Sequence, residues 1–140
     1  MSLNSDVGAV IAATVVPEHS RVQFLPAHLG RNMMMGEACI YGWLDRLSID
    51  YNGGFWDFYT LSNGGFYMAP SGDKRFNIDV SGNGFSGEMS ADAAGIVASL
   101  FGLCYLANRF GDDKSINQYH WLRDFAIEHA EAGLIMRAID

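Results

Sequence analysis

The period of the apolar positions changes along this chain, and each change predicts a different kind of element. Between Asn32 and Tyr51, residues Ala38, Tyr41, Leu44, Leu47 and Tyr51 recur at spacings of three and four, which is the signature of one buried helical stripe. Asn52-Gly53-Gly54 follows, and these residues tolerate the left-handed conformation of a helix stop. From Phe55 the period shortens to two. Aromatic runs at Phe55–Leu61 and Phe66–Ala69 flank Ser62-Asn63-Gly64-Gly65, and Asn-Gly in that setting predicts a hairpin because both central turn residues take positive φ. Pro70, Gly72 and Asp73 turn the chain again. Arg75–Val80 then alternates with Phe76, Ile78 and Val80 on one face, and Asn83-Gly84 leads into a short fourth strand over Phe85–Met89. Strands joined in sequence by tight turns predict an antiparallel meander.

After Ser90 the helical period returns. Ser90 is placed as an N-cap, Asp92 lies in the first turn, and Gly111 follows Phe110 as a stop. Between them the helix is apolar nearly all round, so it is expected to be the most buried element, with Ala94, Gly95, Ala98 and Gly102 allowing close approach. Helices over 113–130 and 131–139 complete the chain. Upstream, Val10–Val16 reads as an edge strand ended by Pro17, and Val22, Phe24 and Leu25 as a short helical piece stopped by Pro26. Helix, meander, then helices is an α+β order: a single domain over residues 16–140, with a small antiparallel β-meander packed against several α-helices, behind a poorly defined segment 1–15.

Composition narrows the class. Of 140 residues 49% are hydrophobic and 18% charged, the balance of a folded domain. Cys39 and Cys104 sit in apolar helical contexts and read as buried free thiols in a reducing cytosol. The apolar stretch Ala9–Val16 has no basic region before it, and Ala93–Asn108, interrupted by two glycines, falls short of the ~20 residues of a membrane span. Both point to a cytoplasmic protein. A net charge of −7, with nine Lys and Arg scattered apart from Lys74-Arg75, leaves no phosphate-binding footprint. The carboxylates are also too sparse for a protein that imitates DNA.

Candidate chemistry is thin. Gly82-Asn83-Gly84-Phe85-Ser86-Gly87 matches G-x-G-x-x-G, but the following helix leads into another helix and not into a parallel strand, so turn chemistry explains the glycines. His19, His28, His120 and His129 have no metal-ligand spacing. Cys104 lacks the exposure and positive neighbour of a reactive thiol. Glu37, Asp45, Asp50, Asp57 and Glu88 are available as acid and base, yet nothing selects two of them. No catalytic residue, metal site or cofactor is therefore expected. Alternation places Trp56, Phe58 and Phe66 on one side of the hairpin and Phe55, Asp57 and Tyr59 on the other, an aromatic density that cross-strand packing explains. The surface pattern with most to say is on the helix after Gly111. At ~100° per residue, Asp113, Asn117, His120, Asp124, Glu128 and Glu131 share a face flanked by Trp121 and Ile127, with Tyr119, Leu122 and Ala126 opposite. Asp113, His120, Trp121, Asp124, Glu128 and Glu131 form the candidate partner-binding face, since partly exposed aromatics favour interfaces.

Long blocks carry a resemblance. Tyr51-Asn52-Gly53-Gly54-Phe55-Trp56-Asp57-Phe58-Tyr59, the run Leu61–Pro70, and Gly87-Glu88-Met89-Ser90-Ala91-Asp92-Ala93-Ala94-Gly95-Ile96-Val97 resemble the core signature of the ArdB/KlcA antirestriction family. Gly36-Glu37-Ala38, Tyr41-Gly42-Trp43, Leu122–Ala126 and the ending Arg137-Ala138-Ile139-Asp140 extend it from about Val16 to the C-terminus. The resemblance implies protection of incoming plasmid or mobile-element DNA from type I restriction–modification systems, without a cofactor. The implied partner is a restriction–modification subunit, met directly or through an indirect cellular route. A small ligand-binding domain or enzyme, with a site near the aromatic hairpin, is the competing reading.

Overall fold

The computed structural model describes residues 10–140. Part of the segment 1–15 therefore lies outside the described residues. The chain runs β1 (Ala13–Val15), α1 (Arg21–Leu29), α2 (Met33–Leu47), β2 (Trp56–Leu61), β3 (Phe66–Pro70), β4 (Arg75–Val80), β5 (Phe85–Ser90), α3 (Ala91–Phe110), α4 (Asp113–Glu128) and α5 (Ala132–Ile139), with short 3-10 turns at Glu18–Ser20 and Gly30–Asn32. This is the expected α+β class.

Helix α3 is the axis of the core. Its start is fixed by Ser90, whose Oγ accepts the Ala93 N–H at 3.1 Å, and its end by Gly111 at φ 64°, as the sequence predicts. Every residue from Ala93 to Leu100 is buried. The small residues let neighbours approach closely. A Cβ on Gly95 would lie 2.3 Å from Ala69 Cβ, and one on Gly102 would lie 2.8 Å from an Ile40 side-chain carbon. Thus α3 is pressed between β3 and α2.

The four predicted hairpin strands do not make one sheet. β1, β2 and β3 form a three-stranded antiparallel sheet, and β4 and β5 form a separate antiparallel pair. Helix α3 supplies the reason. Ser99 Oγ accepts the Met68 N–H and donates to the Met68 carbonyl, both at 3.2 Å, so the outer edge of β3 bonds to a helix side chain where β4 would have paired.

Three other expectations change. Pro26 does not stop α1, which continues to Leu29. The N–H that proline lacks would have bonded the Val22 carbonyl, and Val22 and Pro26 both lie on the exposed face of the helix, where water can satisfy the orphaned carbonyl. Helix α2 ends at Leu47, with Ser48 already extended, and Gly53 and Gly54 instead carry their positive φ in the loop that follows. The buried stripe of α2 is Gly36, Ile40, Leu44 and Leu47. Ala38 is exposed, because the close approach of Leu29 to Gly36 sets the rotation of the helix. Cys39 and Cys104 are unpaired but only half-buried.

Candidate functional site

The α4 face begins at Asp112, whose side chain accepts the Ser115 N–H at 3.2 Å and caps the helix. Ser115, Gln118, Leu122 and Ala126 are buried, which fixes what faces outward. Asp113, Asn117, His120, Asp124 and Glu128 are all exposed on one side, and Ile127 beside them is 52% exposed. Tyr119 is half-buried against the core.

Three members of the predicted face have other employment. Trp121 is wedged over the β2–β3 turn, 3.5 Å from where a Gly64 Cβ would sit, and its carbonyl accepts from Asn63 Nδ2 at 2.9 Å. Gln118 Nε2 adds a bond to the Gly64 carbonyl at 3.3 Å. The indole therefore registers α4 on the hairpin. Glu131 leaves the face because α4 stops at Glu128 and His129 is extended at ψ 150°. Its carboxylate turns inward instead, accepting the Ser90 N–H at 3.0 Å and the Ser90 hydroxyl, with Arg75 4.0 Å away. Glu128 also has a structural duty, accepting the Ile11 N–H at 3.0 Å.

A polar cluster lies beneath the C-terminal end of α4. Tyr67 donates to Asp92 Oδ1 at 2.7 Å, and His129 Nε2 meets Asp92 Oδ2 at 2.8 Å. The Glu131 N–H donates to His129 Nδ1 at 2.9 Å, so the ring proton resides on Nε2 and points at Asp92. Burial pushes the Asp92 carboxyl upward, but bonds from His129 and Tyr67 outweigh it and hold its pKa below the ordinary value. Glu131 is likewise lowered: burial opposes, while Ser90, His129 and Arg75 prevail. Burial and the bond to Asp92 together push the Tyr67 phenol up, out of reach of neutral-pH chemistry. Every group here is held by another, so the cluster fastens β3, α3 and the α4–α5 junction together and presents no free nucleophile or base. It was invisible in the sequence, where 25 residues separate Tyr67 from Asp92 and 37 separate Asp92 from His129.

The aromatic hairpin is mostly core. Trp56, Phe58 and Phe66 are buried on one side, where Phe24 meets Phe58 at 5.2 Å and Phe66 at 5.4 Å between centroids. On the other side Tyr59 stacks on Tyr67 at 4.6 Å and Tyr67 on Phe125 at 5.7 Å. Phe55, 88% exposed, precedes the strand. An open cleft of about 420 Å3 lies beside Tyr41, Tyr51 and Trp56, but its Arg21 pairs with Asp57 at 3.3 Å. Four of the five candidate carboxylates are taken up one by one: Glu37 by Tyr41, Asp50 by Asn77, Asp57 by Arg21 and Glu88 by Arg75, while Asp45 stands exposed on α2 with no second acid beside it on the helix face. Among the described residues no three His, Cys, Asp or Glu side chains converge as a metal site. The glycine motif straddles the β4–β5 turn, with Gly84 at φ 76°, in an antiparallel setting.

The family profile described as "Antirestriction protein" matches residues 49–140. Two Escherichia coli proteins called antirestriction protein KlcA are similar along nearly their whole length. One is 56% identical over 137 residues, spanning 93% of this chain and 94% of its own. The other is 53% identical over 135 residues, spanning 93% and 95%. A solved structure superposes with a TM-score of 0.86 at 53% identity, over 93% of this chain and 95% of that one. It comes from work on the KlcA and ArdB proteins that describes a novel fold and antirestriction activity against Type I DNA restriction systems in vivo but not in vitro.

Proposed function

This chain belongs to the antirestriction protein family, and from that premise we propose that it relieves type I restriction in the bacterial cytoplasm and so protects incoming plasmid or mobile-element DNA. The observation that carries this reading is the match of sequence and fold, together, to a protein with that activity in cells. The mechanism is binding, not catalysis. Polar groups that converge in the structure bond to one another, and four of the five candidate carboxylates each meet a donor instead of a second acid.

The partner is a protein, engaged through the exposed part of the α4 face: Asp113, His120, Asp124 and Glu128. Trp121 positions this face and Glu131 locks its lower end. The solved relative's activity in vivo but not in vitro favours an indirect route, in which a cellular component besides the restriction enzyme is needed. Helix α3 has the length and hydropathy of a membrane span, but most of it is buried inside the protein, as suits a core helix.

The test is phage plating on cells with an active type I system, with and without the protein. Unmodified phage are expected to plate much better when it is present, while modified phage plate equally. Equal plating of unmodified phage across several type I families, at verified soluble expression, would remove the antirestriction reading and favour a ligand site at the Tyr41–Tyr51–Trp56 cleft.

A further inference from the structure

A groove between α2 and the β4–β5 hairpin takes no part in the α4 face or the polar cluster. Its volume is about 670 Å3, with Trp43 and Arg46 on the α2 wall, Asp79 and Gly82 on the hairpin wall, and Phe85 and Phe101 between them. Trp43 and Phe101 are stacked at 4.6 Å, and the Arg46 guanidinium lies 4.4 Å from the Trp43 ring centre. Arg46 is exposed and, among the described residues, has no carboxylate within ion-pair distance.

The hairpin wall has an open strand edge. Asn77 sends its N–H away from β5, to Asp50 Oδ2 at 2.8 Å. Alternation along an antiparallel strand then turns the Asp79 N–H outward as well. Asp50 closes the edge at Asn77, but at Asp79 it faces the groove. On the opposite edge the Ser90 N–H goes to Glu131 at 3.0 Å, and Asn83 Nδ2 in the turn reaches the Ala138 carbonyl at 3.0 Å. Unpaired strand edges beside apolar grooves are templates for added strands.

We propose that this groove receives a short extended peptide of a protein partner, added as a strand to β4 at Asp79, with an apolar side chain on Trp43 and Phe101 and a carboxylate on Arg46. Backbone donors and acceptors at Asp79 set the extended form, and the stacked rings set the apolar anchor. The guanidinium takes the carboxylate on the α2 wall, away from the Asp79 carboxylate on the hairpin wall, which is unpaired among the described residues. This docking mode rests on the protein-partner reading above, but its test needs no restriction enzyme.

A phage-displayed library of random short peptides is panned against the immobilised full chain, with Asp79→Pro as counter-target. Proline deletes the outward N–H without touching a ladder bond, and Arg46→Glu, on an exposed helix surface, is a second variant should proline disturb the hairpin. Enriched peptides are expected to alternate apolar residues around an Asp or Glu. Synthetic copies should saturably shift the Asp79 amide and Trp43 indole resonances. They should bind Arg46→Glu at least about tenfold more weakly, the loss of one charge-assisted contact, and Asp79→Pro about three- to tenfold more weakly, the loss of one backbone bond. Lack of enrichment over the counter-target, or shifts mapping away from the groove, overturns the proposal. Peptide binding without improved phage plating would sink only the antirestriction reading, and improved plating without peptide binding would sink only the groove.

Discussion

Single residues decide how closely α3 lies against the sheet. A methyl group at Gly95 would stand 2.3–2.5 Å from Ala69 and the Met68 carbonyl oxygen, both fixed by backbone. Gly95→Ala is therefore expected to cost about 1–3 kcal/mol, the usual range for overpacking, read as a lower urea midpoint. Ser99→Ala removes both bonds to a buried strand edge and should cost about as much, since it orphans the Met68 N–H and carbonyl. No change in either variant would mean that β3 and α3 are not pressed together as described. That α3 needed small residues was legible in the sequence. That Ser99 would take the place of a neighbouring strand was not, because an isolated serine in a helix carries no mark of its partner. Asp92 gives a prediction in pH. Its folded-state pKa lies below the ordinary value of about 3.9, so the stability gained by ionisation is fully present above that value and is lost as pH falls through the lower, folded one. The stability gap between the wild type and Asp92→Asn should shrink as pH falls below about pH 4. A gap unchanged at pH 3 would show that the cluster does not depend on the Asp92 charge.

At the scale of elements, the sequence predicts what each segment becomes better than where it stops and what it faces. The strands, the long apolar helix and its two caps were legible because local chemistry sets them. The division into two sheets was not, since it follows from α3 covering β3. The rotation of α2 was mistaken because Ala38 fits the same spacing as Ile40, and only contact with Leu29 distinguishes them. For the candidate face, helical period correctly grouped Asp113, His120, Asp124 and Glu128. It failed at Glu131 because the face was extended through a helix end that tertiary bonds impose. This partition selects the variant. Glu128 holds the Ile11 N–H, so its reversal would mix folding with function. Asp113→Lys with Asp124→Lys changes only exposed side chains and should cost no more than about 1–2 kcal/mol, most of it from placing a cation in the first turn of α4. Relief of restriction in the plating assay should fall at least about tenfold, the cost of losing one charged interface contact. Full relief in that double variant would remove the α4 face as the docking surface.

For the whole molecule, net charge poses the question of whether an acidic inhibitor works by standing in for DNA. Counting charges along the most acidic feature answers it. Asp113, Asp124 and Glu128 are three carboxylates over a rise of about 22 Å at 1.5 Å per residue, with Lys114 and Arg123 among them. A duplex of that length carries about thirteen phosphates at one charge per 1.7 Å. The potential along α4 is therefore a small fraction of the one a DNA-binding channel is built to receive, and shape gives no further match because the helix presents a single row. A mimic's competition would also weaken steeply with salt. In a fluorescence-anisotropy assay with a labelled duplex and a purified type I enzyme, this protein is expected to leave DNA binding unchanged at low salt, even in large molar excess. Displacement of the duplex that disappears as salt rises would instead establish mimicry, and would move the site of action from a protein partner in the cell to the restriction enzyme's own DNA channel.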